Sequence, residues 1–534
     1  GLGPILDRAL GVADAGIGGA GVVGCTRHRG VSAVAVFSGP LDTWESTSTK
    51  GPVESDLMEP LALAALVSLD RADPAPLSEQ LYRGLRDAIR AGRVTRGTRL
   101  PSSRAAAAAL DVSRNTVVAA YDLLRAEGVI EARQGAAPRV LDVEPAGASR
   151  PAVARAISLG PRGAKVTQPA RADLYATPSG WFMPGAPDER LFPRNAWARA
   201  LRQAALRPHG PASGYADYAG SASLRAALAA RLAADRGVVV SARQILVVSS
   251  AQAAFTLLAQ VLAEPGDRGL VESPGYAGAR AAFAAAGLEA AALPVDDAGA
   301  DIGRVTAPAR LAYVTPSNQY PLGVRMALHR REALADWARR SGAWIIEDDY
   351  DGEFHWRGRA VATLQSIAPD VTLYVGSAAK SLMPALRLGW IAAPEPLVAP
   401  LREGVRNLGL GANLHAQAAF EAFVDEGAWR AHIRRISSAY AARGKLLADA
   451  LEDRFGAAMD VSRPDGGLQL VARISDTEAE DRAMISLGEA GFAVAALSRY
   501  GCGEAGPPGL VIGFADAEPA IVDRFCAVLV TAVR

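Results

Sequence analysis

Lys380 is where this sequence most plainly offers chemistry. It lies in Val371–Trp390, VTLYVGSAAKSLMPALRLGW. The stretch opens as an apolar run (Val371, Leu373, Val375) suited to a buried strand. It then breaks at Gly376 into Ser377, Ala378 and Ala379, which are too small to bury the lysine in bulk. The only lysines are Lys50, Lys165, Lys380 and Lys445, and every other cation except histidine is Arg. A lysine amine condenses with an aldehyde cofactor, whereas a guanidinium does not. The plain alternative is a surface lysine in a loop.

A partner lies upstream. Trp344–Ile346 reads as a short buried strand running into Glu347–Phe354, EDDYDGEF. Acids at the carboxyl end of a parallel strand stand where open α/β sheets put their ligands. A pyridoxal 5'-phosphate (PLP) site needs a carboxylate to keep the pyridine nitrogen protonated. It also needs a hydroxyl near the ring oxygen. The two-residue strand period puts Asp348 and Tyr350 on one face, thirty-two residues before the lysine. A nucleotide-hydrolase metal site would want a GxxxxGK[ST] loop, and the chain has none.

EDDYDGEF with GSAAKSLMPALRLGW resembles the aminotransferase-like half of MocR-type regulators, a branch of the GntR transcription factors. The resemblance implies an α/β fold: an N-terminal winged helix-turn-helix followed by an aminotransferase domain of fold type I. That domain would have a mixed, mainly parallel sheet with helices on both faces and a smaller C-terminal lobe. From about residue 176 the chain keeps to the pattern, through Phe182–Asp188 (FMPGAPD), Glu272–Tyr276 (ESPGY) and Thr315–Gly323. The resemblance further implies that Lys380 holds PLP as an internal aldimine and that Tyr276 stacks on its ring. Asn318 stands where relatives often have His, and its amide would bond the ring oxygen. Ser250 and Ala251 open an Ala-rich helix after the strand Ile245–Val248, a ready phosphate site. Relatives usually have Gly where Ser250 stands, which puts close backbone approach in question. Ser377 and Arg387 would complete the phosphate contacts. Leu510 occupies the place of the usual substrate-carboxylate arginine, so Arg499 is the nearest candidate for that role.

The elements that position these residues divide the chain. At 534 residues it should hold more than one domain. Net charge is +1, but residues 77–140 carry eleven Arg against six acids, +5, leaving −4 for the rest. Leu77, Leu81, Leu85 and Ile89 recur at helical spacing, and Gly92 stops the helix. Ser102 or Ser103 caps a helix Arg104–Leu110, Asp111-Val112 turns, and Ser113 caps a third helix ending before Gly128. That geometry places a recognition helix in the major groove by its first residues, Arg114, Asn115 and Thr116. Arg104, Ser113 and, from the wing Val129–Val140, Arg133 join them on DNA. A three-helix bundle with a solvated basic face is the bland alternative. PSSRAAAAALDVSRNTVVAAYDLLRAEG resembles the GntR-type DNA-binding domain over nearly its whole length. In the wing, Pro138 replaces a usual backbone donor, so the hairpin is expected to be altered.

The expected organisation is an unassigned extension over 1–66, the winged module over 67–142, a linker over 143–175 and the effector domain over 176–534. Met58 suggests a natural start there. Three scattered cysteines (Cys25, Cys502, Cys526) fit neither a disulfide framework nor a zinc site and point to a reducing cytoplasm. No apolar run approaches the roughly 20 residues of a membrane helix. The reading is a PLP-dependent regulator that binds double-stranded DNA and senses an amino compound or PLP itself. By the resemblance it would be a head-to-tail homodimer. The alternatives are a working aminotransferase with a DNA-binding arm and a scaffold without cofactor.

Overall fold

The computed structural model describes residues 57–131, 136–141, 159–168, 174–210, 214, 217–356 and 362–533. Its two units are Gly1–Ala156 and Ile157–Arg534.

In the first unit, α1 (Pro60–Leu66), α2 (Leu77–Arg90), α3 (Ser103–Leu110) and α4 (Arg114–Ala126) precede a hairpin of β1 (Ile130–Glu131) and β2 (Arg139–Val140). Leu81, Leu85, Ala88 and Ile89 of α2 meet Val117, Ala120, Tyr121 and Leu124 of α4 in one core. Ser102 caps α3 by accepting from the Ala105 amide at 3.3 Å, and Ser113 caps α4 by accepting from Thr116 at 3.1 Å. Asp111 takes the left-handed conformation the turn requires, φ 51°. An Asp tolerates this because its short side chain bonds locally. Arg71 donates to its carbonyl at 2.6 Å and its carboxylate at 2.8 Å.

One expectation changes here. The module does not begin at residue 67: α1 belongs to it, with Leu63 fully buried in the shared core and Val67 lying against Gly84. The apolar LALAAL needed a surface to cover, and α2 and α3 provide it. Pro138 directly precedes β2 and its carbonyl accepts from the Leu100 amide at 2.7 Å, while the tip of the hairpin lies outside the described residues.

The second unit is built on an eight-stranded sheet. Its strands are β3 (Ile245–Val248), β4 (Arg268–Ser273), β5 (Glu289–Asp296), β6 (Gly299–Ala300), β7 (Leu311–Val314), β8 (Trp344–Asp348), β9 (Thr372–Ser377) and β10 (Gly389–Ala392). They lie in the order β3-β10-β9-β8-β7-β4-β5-β6. The run from β9 to β5 is parallel; β10 is antiparallel to both its neighbours, and β6 to β5. β3, β7, β9 and β10 are buried along their whole length, as strands of a sheet covered on both faces should be. β8 and β9 at the sheet centre deliver Asp348 and Ser377 at their carboxyl ends. A four-stranded antiparallel sheet, β11 (Asp460–Val461), β12 (Gln469–Arg473), β14 (Gly509–Gly513) and β13 (Ala495–Ala496), forms the smaller lobe with helices that include Ala428–Phe455 and Pro519–Val533.

The expected linker is shorter than 143–175. Pro161–Val166 is helical, and Tyr175 bridges Ala495, with the Ala176 amide donating to the Val494 carbonyl at 2.8 Å. Both belong to the second unit. No helix among the described residues is long and apolar enough to cross a membrane, and none of their His, Cys, Asp and Glu group as metal ligands. Cys502 and Cys526 are buried and unpaired, while Cys25 lies outside the described residues.

Candidate functional site

One cavity at the carboxyl ends of the central strands collects most of the expected residues. Lys380, Asp348, Tyr350, Tyr276, Ser250, Ala251, Ser377 and Arg387 all line it. The Lys380 amine donates to the Gly185 carbonyl at 2.7 Å. Gly185 has φ 68°, and a Cβ there would stand 3.1 Å from Lys380 Nζ. Glycine is favoured there, since the left-handed backbone strains other residues and a Cβ would crowd the amine.

Asp348 is buried, and burial pushes its carboxyl up to about 7. A hydrogen bond from Tyr313 and the charge of Lys380 pull the other way, with Asp349 adding to the rise. Tyr313 holds Asp348 Oδ2 at 2.5 Å, while Asp348 Oδ1 is buried without a hydrogen-bond partner. Burying a carboxylate oxygen unpaired is costly, so such an atom calls for a donor. The neighbour Asp349 is the opposite case. Burial disfavours its charge, but Arg236 clasps both oxygens at 2.7 and 2.8 Å and holds it below the ordinary carboxylate range.

The other end of the cavity suits an anion. Ser250 caps the helix Ala251–Leu262 by accepting from Ala253 at 3.0 Å, and Arg387 donates to the Ser250 hydroxyl at 3.2 Å. Ser250 has φ −178°, an extended backbone that any residue adopts, so glycine is not required there. The close approach is made instead by Gly389, where a Cβ would lie 2.9 Å from the Ser250 carbonyl carbon and 3.0 Å from the Ala251 nitrogen. Helix N-terminus, hydroxyls of Ser250 and Ser377, and a guanidinium together match a phosphate.

Two expected residues stand elsewhere. Asn318 is not among the lining residues. Its amide donates to Asp351 Oδ2 at 2.6 Å and to the Tyr350 hydroxyl at 3.2 Å, so it braces Tyr350 from behind. Gln469 also donates to that hydroxyl, at 3.1 Å, and Tyr350 donates to the Asn318 carbonyl. Arg499 is turned away, pairing with Asp481 at 3.6 Å. Leu510 is buried in β14. Tyr350 reaches the cavity from the turn after β8 rather than from the strand itself, because β8 ends at Asp348.

Sequence reasoning missed Tyr313, Tyr320, Gln252, Phe255 and Tyr175 in the lining. Tyr313 had a usable signal: an aromatic with a hydroxyl in the strand just before the TPSNQYPLG loop. Tyr175 had none, because its role depends on a bridge to Ala495, 320 positions away.

On the first unit, Arg104, Ser113, Arg114 and Asn115 are exposed and Thr116 is half-buried. Arg114 Nε donates to the Ser103 hydroxyl at 3.2 Å, and Ser113 and Thr116 share a hydrogen bond at 2.8 Å. Arg133 lies outside the described residues.

Comparison with known proteins agrees with both halves. Residues 77–140 match the gntR family of bacterial regulatory proteins, and 186–529 match aminotransferase class I and II. The chain is 37% identical to a probable rhizopine catabolism regulatory protein, MocR, of Rhizobium meliloti, over 85% of this chain and 93% of that one. It is 30% identical to the pyridoxine biosynthesis transcriptional regulator PdxR of Corynebacterium glutamicum, over 84% and 94%. Among solved structures, the α-aminoadipate aminotransferase LysN of Thermus thermophilus shares the fold of the second unit. The TM-score is 0.63 at 22% identity, covering 70% of this chain and 97% of that one. A gntR-type module joined to an aminotransferase class I and II domain, with relatives of this likeness along most of its length, places the chain in the MocR-type branch of the GntR regulators.

Proposed function

We propose that the protein is a transcriptional regulator that binds double-stranded DNA through α4 and reads PLP, or an amine that reacts with it, in the cavity around Lys380. The observation that carries the reading is the unpartnered Asp348 oxygen in the same cavity as the Lys380 amine. When bound, PLP supplies an aldehyde reactive toward primary amines and a ring that draws electrons once its nitrogen is protonated. Asp348 would keep the ring nitrogen's proton through Oδ1 while Tyr313 holds the other oxygen in place. Tyr350, braced by Asn318 and Gln469, offers a hydroxyl, and Tyr276 offers an aromatic face. Ser250, the Ala251 amide, Ser377 and Arg387 would take the phosphate. Lys380 presents the nucleophile, oriented by Gly185.

A turnover enzyme is the weaker reading. Arg499 faces Asp481, and Leu510 is apolar and buried, so neither offers a guanidinium to a substrate carboxylate. A regulator also needs the ligand to favour one DNA-bound arrangement energetically. The test is Lys380→Ala. Wild-type protein incubated with PLP and reduced with borohydride should gain the coenzyme's mass on Lys380, and the variant should not, while both bind operator DNA. Coenzyme covalently retained by the variant would remove Lys380 from its role.

A further inference from the structure

Behind the segment that carries Asp348 and Tyr350 lies a second cleft, of about 350 Å3, that the reading above leaves unused. Three elements meet there. The end of the helix Ala222–Arg236 supplies Arg231, Asp235 and Arg236; the loop after β8 supplies Glu353 and His355; the start of the helix Ala428–Phe455 supplies Trp429, Arg430 and Arg434.

Arg231 is the built part of it. Its side chain is only 10% exposed and stacks over the Trp429 ring at 4.1 Å. Nη2 donates to Glu353 at 2.8 Å and Nε to Asp235 at 3.3 Å. Nη1 is buried with no hydrogen-bond partner. On the facing loop, His355 Nδ1 is likewise buried and unpartnered. Burial and the charge of Arg236 lower His355 to about 4, so at neutral pH the ring is uncharged and adds no charge to the cleft. Buried donors without acceptors are few in folded proteins and ask for a water or an ion.

The charge decides which. The cleft holds four guanidiniums, those of Arg231, Arg236, Arg430 and Arg434. Against them stand Asp235, Glu353 and, behind Arg236, Asp349. Arg430 reaches Asp235 only at 3.4 Å. The surplus is positive, and guanidinium forks suit oxyanions.

We infer that this cleft is a second ligand site, for a small oxyanion such as a phosphate or carboxylate group, held by the guanidiniums of Arg231, Arg430 and Arg434. The inference does not depend on the Lys380 cavity holding PLP, and the test keeps the two apart. Full-length protein carrying Arg387→Ala, which weakens the anion end of the first cavity, is titrated by calorimetry with inorganic phosphate and, separately, with acetate at constant ionic strength. A saturable isotherm is expected for at least one of them. Adding Arg430→Ala and Arg434→Ala, both exposed positions, should weaken it at least tenfold. Phosphate binding alone assigns a phosphoryl site, and acetate binding of equal strength assigns a carboxylate site. No saturable heat with either anion, or an isotherm unmoved by the double change, overturns the inference.

Discussion

Helix α4, proposed to meet DNA, and the Lys380 cavity are built in opposite ways. The first turn of α4 displays Arg114 and Asn115 from a single helix, exposed to solvent, with positions set by local caps. The cavity draws on residues from Tyr175 to Leu388, and Asp348, Tyr350 and Ser377 among them are buried. A surface reader of this kind loses function one side chain at a time, while the scaffold beneath it is indifferent. In the cavity a single atom changes both what binds and what the fold tolerates, since low polarity magnifies each unpaired charge.

The comparison breaks most visibly where the reader's support is cut. Leu124 is fully buried on α4, so Leu124→Ala should destabilise the first unit by about 2–5 kcal/mol. DNA binding should fail near body temperature while coenzyme absorbance persists, as paired circular dichroism and visible spectra would record. Joint loss of both would mean that the halves are not independent in stability. Asp348→Asn tests the other side. Losing a charge-assisted hydrogen bond should cost about 2–3 kcal/mol of PLP affinity. Fluorescence titration reads this, with operator affinity of the coenzyme-free protein unchanged. Arg114→Ala should lower operator affinity by about 1–3 kcal/mol if it reads a base edge. A gel-shift series at fixed salt would register that, with the coenzyme spectrum unmoved.

A further effect is a pH dependence confined to the second unit. Burial raises Glu272, Glu347 and Asp348 to about 7 and Asp351 to about 8. The folded coenzyme-free protein therefore keeps protons that the unfolded chain has already released. Stability then falls as pH rises toward about 8. His355, lowered to about 4, acts in the opposite sense below its ordinary 6.5, and Asp349 acts only in acid. The clean window is thus from about 6.5 to about 8, where the melting temperature should drop. A flat or rising profile there would say that these carboxyls ionise before unfolding.

The same contrast explains what the sequence disclosed. Ser113 followed by RNT at a helix start, and Lys380 after a strand of β-branched residues, are local signals, and both were readable. The short apolar runs of β3, β7 and β8 were readable as strands, whereas the order of the sheet came from the family resemblance. Asn318 was misplaced because the acid that takes its amide, Asp351, competes from another segment. Arg499 was misassigned for a similar reason: Asp481 lies on a different helix and draws it outward. α1 was overlooked because seven apolar and small residues carry no period until α2 and α3 give them a surface.

The lone oxygen of Asp348 has a consequence for the protein's lifetime as well as its signal. A coenzyme that filled it would bind the native form and not the unfolded one, so each increment of free coenzyme would raise the fraction of chains that stay folded. Marginal stability sets how much of a protein survives proteolysis in a cell. Scarcity of such a ligand would then thin the population of this regulator at the same moment that it empties the pocket.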